Sequence, residues 1–104
     1  MRKVLITISV LACLFSFSVV GFASEDGAAL FNAYCRSCHG ADGSKAPYSG
    51  VAPIKGWKSS ETLKALKGYK DGSFGGARKQ IMTNTAKRLS DEQMKSIADF
   101  VATL

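Results

Sequence analysis

Cys35-Arg36-Ser37-Cys38-His39 is the stretch from which the rest of the chain is read. Two cysteines separated by two residues and followed at once by histidine form the attachment pattern of a c-type haem. On one turn of backbone each thiol can add to a vinyl group of the same porphyrin, and the next residue then presents its imidazole to the iron from the same side. The spacing predicts one covalently held haem c, anchored through Cys35 and Cys38, with His39 as an iron ligand. A disulfide, a redox dithiol or half a zinc site would use the same two cysteines. Against these, His39 is the only histidine in the chain, and no second ligand pair exists to complete a tetrahedral zinc site. A thioredoxin-like dithiol belongs beside a βαβ pattern, and none is visible around this one.

The chain has 104 residues and begins with Met1-Arg2-Lys3, an apolar run from Val4 to Val20, and Gly21-Phe22-Ala23. A basic start, a hydrophobic middle and a small-residue end make a secretory signal peptide. The expected cleavage follows Ala23, leaving residues 24–104 as a mature domain in the periplasm. A retained membrane anchor is the plain alternative, because the run approaches the length of a bilayer span. A lipoprotein-type site at Val10-Leu11-Ala12-Cys13 is disfavoured, since the apolar run continues past Cys13. Losing the leader removes Cys13, so only the motif cysteines remain and no structural disulfide is available. A domain this short buries a small core and leans on a crosslink or cofactor. Haem would supply the missing apolar interior.

Of the 14 Lys and Arg, Arg2 and Lys3 fall in the leader, and the remaining 12 face 8 acidic residues. That moderate excess is compatible with a solvated surface and, in principle, with nucleic acid. For an exported haem protein it is read here as steering toward acidic redox partners, with no nucleic acid involved, raising encounter rate more than affinity.

Outward from the motif the periodicity is helical. Ala28, Leu30, Phe31 and Tyr34 fall at helical spacing, with Ser24, Glu25 and Asp26 as cap and dipole-matching residues. This predicts a first helix over 25–34 that delivers Cys35. Gly40 to Gly50 has the turn chemistry of an irregular loop, with Val51-Ala52-Pro53-Ile54 as a short apolar stretch beyond it. Ser59 or Ser60 is expected to cap a helix carrying Leu63 and Leu66, stopped by Gly68. A short helical piece is expected from Ala77 to Met82, followed by a polar loop over Thr83 to Leu89. Ser90-Asp91-Glu92-Gln93 is a capping box, and the helix after it carries Met94, Ile97, Ala98 and Val101 on one face. No period-two alternation stands out. The domain reads as all-α, with about four helices and long loops around one haem.

What fills the iron's sixth position decides the function. Met94 shares a helix face with Ile97 and Val101, the ordinary position of a core methionine. Met82 ends a short helix and enters a polar loop, where a side chain can be aimed across a plane at iron. Its plain alternative is a loop methionine patching a hydrophobic gap.

The stretches Asp26-Gly27-Ala28-Ala29-Leu30, Cys38-His39-Gly40-Ala41-Asp42-Gly43-Ser44-Lys45, Lys67-Gly68-Tyr69, Asp71-Gly72-Ser73, Met82-Thr83-Asn84 and Ser90-Asp91-Glu92 resemble the class I c-type cytochromes. Within that family they are most similar to the monohaem c-553 group of sulfate-reducing bacteria. The resemblance covers nearly the whole mature domain and implies the small class I cytochrome c fold. It implies His and Met axial ligands, which fall on His39 and Met82. It also implies a proline carbonyl accepting a hydrogen bond from the ligand histidine, by position Pro53, with Pro47 the weaker candidate. Gly27, Phe31 and Phe100 match the family's contact between first and last helices. Trp57 and Tyr69 are read as packing residues with a polar tip, against the haem or its propionates.

An iron held by imidazole and thioether leaves no position for substrate, so the expected role is outer-sphere electron transfer rather than enzymatic catalysis. Lys45, Lys55, Lys58, Lys79 and Lys87 are candidates for orienting acidic partners. The resemblance implies formate dehydrogenase or hydrogenase as those partners, and the carrier is expected to be a monomer that meets the membrane only through its signal peptide. The rival reading is a haem-based ligand sensor or peroxidase-like enzyme with an open sixth site. No distal histidine or arginine motif for peroxide cleavage supports it.

Overall fold

The computed structural model describes residues 26–104, so the signal peptide expected at 1–23 lies outside the described residues. Five helices follow in order: α1 Gly27–Tyr34, α2 Arg36–His39, α3 Ser59–Asp71, α4 Gln80–Lys87 and α5 Asp91–Val101. No strand occurs among the described residues, and no helix of theirs is long and apolar enough to cross a membrane.

α1 and α5 cross as the frame of the domain, and α3 packs on both α5 and α4. The Asp26 carboxylate caps α1 by accepting from the Ala28 N–H at 3.0 Å. Where the two helices meet, a Cβ on Gly27 would collide with the Ser96 carbonyl. Glycine therefore lets the backbones approach, and Phe31 then meets Phe100 with ring centroids 5.3 Å apart. Phe31, Met94, Ala98 and Val101 are fully buried there, together with Ile97 and Leu89. α5 begins at the expected capping box: the Gln93 N–H donates to Ser90 Oγ at 3.1 Å, and the Ser90 N–H donates to Gln93 Oε1 at 2.9 Å.

Three expectations about element bounds are corrected. α3 does not stop at Gly68 but runs to Asp71 and ends at Gly72, which is left-handed at φ +84. Neither Ser59 nor Ser60 caps it: Lys58 holds the cap position, its N–H donating to Glu61 Oε2 at 3.0 Å, while Ser59 Oγ donates to the Asp99 carboxylate on α5 at 2.5 Å. The stretch Thr83 to Lys87, expected as polar loop, is helical. Its threonines are not a solvated face, because Thr83, Thr85 and Ala86 are buried and Thr85 Oγ1 donates back to the Ile81 carbonyl at 3.0 Å. A polar composition conceals an amphipathic helix.

Candidate haem site

The motif is itself one helical turn. The Cys35 N–H donates to the Phe31 carbonyl at 2.8 Å, closing α1, and the His39 N–H donates to the Cys35 carbonyl at 3.0 Å, opening α2. Cys35 therefore points into the interior, where it is 8% exposed, while Cys38 lies on the exposed side of the same turn. No disulfide joins the two. Burial, with Cys38 nearby adding to it, pushes the Cys35 thiol up to about 11. At neutral pH the unmodified thiol keeps its proton.

His39 ends α2 and is 8% exposed. Burial lowers its pKa, which favours the neutral imidazole, the form that ligates a metal. Its Nδ1 is buried without a hydrogen-bond partner. Met82 sits in the first turn of α4 rather than at the end of a helix, and is half-buried. The two residues share the walls of three cavities, of about 280, 270 and 60 Å³. Cys38, Tyr34 and Ile81 border the first; Val51, Ile54, Trp57 and Tyr69 border the second; Cys35, Leu66, Ile97 and Val101 border the smallest.

These residues fit a covalent haem. One imidazole and one thioether face the same cleft, two thiols stand on its walls, and its deep end is lined by apolar side chains. The unpartnered His39 Nδ1 is the donor that a metal-ligating histidine ordinarily directs to a carbonyl or carboxylate.

The two prolines stand differently toward His39. Pro53 is exposed and, with Nδ1 unpartnered, its carbonyl does not meet His39 in this structure, although Val51, Ala52 and Ile54 on either side share a cavity wall with His39. Pro47 lines the two larger cavities beside His39. Met94 is fully buried in the α1–α5 core, as its helix face implied.

Against known proteins, residues 24–104 match the model of the cytochrome c family. The chain belongs to that family. It is 47% identical over 104 residues, all of both chains, to cytochrome c-553 of Nitratidesulfovibrio vulgaris. It is 40% identical to cytochrome c-553 of Desulfomicrobium norvegicum over 77 residues, 74% of this chain and 94% of that one. Cytochrome c6 of Picosynechococcus is 36% identical over 98% of this chain and 93% of its own. The cofactor of this cytochrome c is accordingly one covalent haem c, and its role is electron transport rather than enzymatic turnover.

Two wall residues went unnoticed in the sequence. Arg78 stacks over the Tyr48 ring, its guanidinium carbon 4.9 Å from the centroid, and both line the two larger cavities. Tyr48 belongs to an irregular segment, and Arg78, expected within a helix from Ala77, lies in the turn before α4, so nothing in the spacing pairs them. Burial raises the Tyr69 phenol, which keeps its proton at neutral pH.

Proposed function

We propose that this cytochrome c is a periplasmic one-electron carrier in which His39 and Met82 are the axial iron ligands and Cys35 and Cys38 the thioether anchors. The observation that carries this is the pairing of His39 and Met82 across the same three cavities, with both motif cysteines on their walls. When bound, haem c supplies an iron that cycles between ferric and ferrous states. His39 offers a neutral nitrogen, and the soft sulfur of Met82 favours the ferrous state. Pro53 is the proposed acceptor for the His39 Nδ1–H, bringing the stretch that already borders His39 onto its one unpartnered atom. That contact would fix the ring and raise its basicity as a ligand.

Residues 1–23 act as the cleaved signal peptide and residues 24–104 as the mature monomer. The partners are redox proteins with acidic docking surfaces, a formate dehydrogenase or hydrogenase among them. Lys45, Lys58 and Lys87 are exposed and suit that docking. Two other lysines are engaged within the chain: Lys55 pairs with Asp42 at 3.3 Å, and Lys79 Nζ donates to the Gly72 carbonyl at 2.9 Å.

The deciding experiment is carbon monoxide on the reduced holoprotein at neutral pH. A closed sixth position gives no rapid binding. Fast, stoichiometric uptake would overturn Met82 as ligand and favour the sensor or peroxidase reading. Intact mass of the exported protein reports leader removal and one added haem together.

A further inference from the structure

The two sides of the haem cleft are each fastened to themselves. On the His39 side, the loop after α2 is tied back by the Lys45 N–H donating to the His39 carbonyl and the Lys55 N–H donating to the Gly43 carbonyl, both at 3.0 Å. Within that loop Tyr48 stands at a turn closed by the Val51 N–H donating to the Tyr48 carbonyl at 3.2 Å. On the Met82 side α4 packs on α3, and the turn before α4 is held to the end of α3 by Lys79 Nζ donating to the Gly72 carbonyl at 2.9 Å. Among the described residues no hydrogen bond or ion pair joins residues 44–53 to residues 73–82.

One contact does cross. Arg78, four residues before Met82, lays its guanidinium over the Tyr48 ring, 4.9 Å from the centroid. Both side chains line the two larger cavities with His39 and Met82, and neither lines the smallest. The arginine is exposed and the tyrosine half-buried, which puts the pair at the mouth of the cleft. An exposed arginine ordinarily turns freely in water, and holding it still costs side-chain entropy. No carboxylate holds this one: the ion pairs among the described residues are Lys55 with Asp42 and Lys95 with Asp99. The ring face retains it, and a planar guanidinium stacks there in a way that a lysine ammonium does not.

We propose that this stack is a strap across the mouth of the haem site, and that Arg78 and Tyr48 are positioning residues that keep Met82 on the iron. The inference rests on the reading that haem lies between His39 and Met82. A one-electron carrier needs its sixth position closed. Met82 leaves the iron by an outward movement of the segment that carries it, away from the loop that follows His39. The stack joins these two segments, so it resists that movement and slows the loss of the sulfur. Because the contact is made by the ring face, it needs the ring of Tyr48 and not its hydroxyl.

The test is imidazole added to the ferric holoprotein, followed through the weak far-red band of sulfur-ligated ferric haem. At high imidazole the rate of band loss levels off at the rate at which the sulfur departs. Tyr48→Leu and Arg78→Gln are each expected to raise that limiting rate about two- to fivefold, the worth of an exposed cation–π pair. The double variant is expected to gain no more than either single one, since each has already broken the same contact. Tyr48→Phe keeps the ring and should match the wild type, whereas Arg78→Lys should fall between the wild type and Arg78→Gln. If Tyr48→Leu does not load haem, Arg78→Gln, altered at an exposed position, decides alone. An unchanged limiting rate in Arg78→Gln, effects that multiply in the double variant, or a Tyr48→Phe as fast as Tyr48→Leu overturns the proposal. A wild-type protein lacking the far-red band defeats the underlying ligand assignment instead.

Discussion

The crossing of α1 and α5 and the cleft between α2 and α4 are finished by different means. At the crossing, Phe31, Met94, Ala98 and Val101 are all fully buried and the two helix backbones touch through Gly27. Around the cleft the chain leaves loose ends. Among the described residues the buried side-chain polar atoms without a partner are His39 Nδ1, Thr62 Oγ1 and Thr83 Oγ1: His39 and Thr62 line it, and Thr83 follows Met82. Among the described residues, two of the large exposed hydrophobics, Val51 and Ile81, line the cavities that hold His39 and Met82. Buried polar groups are ordinarily paired and large apolar side chains ordinarily covered. One half of the domain is thus completed by the protein's own atoms, and the other is shaped for completion by haem.

The strongest way to break that comparison is to remove the covalent anchors. Cys35→Ala with Cys38→Ala is expected to abolish haem staining in a denaturing gel and the cooperative thermal transition in far-ultraviolet circular dichroism, since a core this small does not carry a fold alone. A variant that still melts cooperatively at the wild-type temperature would mean that the α1–α5 frame is self-sufficient.

The two methionines sharpen the contrast. Met94→Ala opens a cavity in the fully buried core and is expected to cost about 2–5 kcal/mol in denaturant unfolding, with the weak far-red band of sulfur-ligated ferric haem intact. Met82→Ala is expected to erase that band. The opposite assignment of band and stability would exchange the roles of the two side chains.

These two regions also differed in how plainly they could be read. The α5 face and its capping box are local signals, seen as Ser90, Gln93, Met94, Ile97 and Val101 at fixed offsets, and the structure has them as expected. The haem motif is local too. The cleft wall is assembled from distant segments, and there the reading failed in particular ways. Thr83 and Thr85 looked like loop because the side chains that bury them come from elsewhere in the chain. Ser59 looked like a cap because its tie to Asp99, 40 residues on, leaves no trace in spacing. Arg78 over Tyr48 is a contact between two irregular segments. For Pro53 and Pro47 the family position and the cavity wall point to different residues.

A smaller expected effect falls on the frame alone. Ser90→Ala removes the cap of α5 and is expected to cost about 1 kcal/mol, which lowers the unfolding midpoint of a domain this size by about 4–8 °C. The haem spectrum and the midpoint potential should not move, because Ser90 lines none of the cavities that hold His39. A shifted potential would mean that the frame and the cleft are coupled through α5.

The smallest effect belongs to the cleft loop and appears only in acid. The Asp42 carboxyl is held down from 3.8 to about 2, first by hydrogen bonds from Ser44 and then by Lys55. A carboxyl whose pKa is lower in the folded state stabilises the fold above its unfolded value, and that stability is lost as pH falls through the folded value. Here the loss runs from about pH 4 to about pH 2. Asp42 is fully exposed, so the effect is slight and its Lys55 part is screened by salt. Asp42→Asn keeps an oxygen for the Ser44 N–H but has no charge to lose, and should flatten that limb in an acid titration followed by the haem spectrum. Asp99, held low by Ser59 and Lys95, is the control. Asp99→Asn should alter the acid limb seen by helical circular dichroism more than the one seen by haem absorbance. If both variants move both signals together, acid opens the two halves as one unit and the division between them does not extend to unfolding.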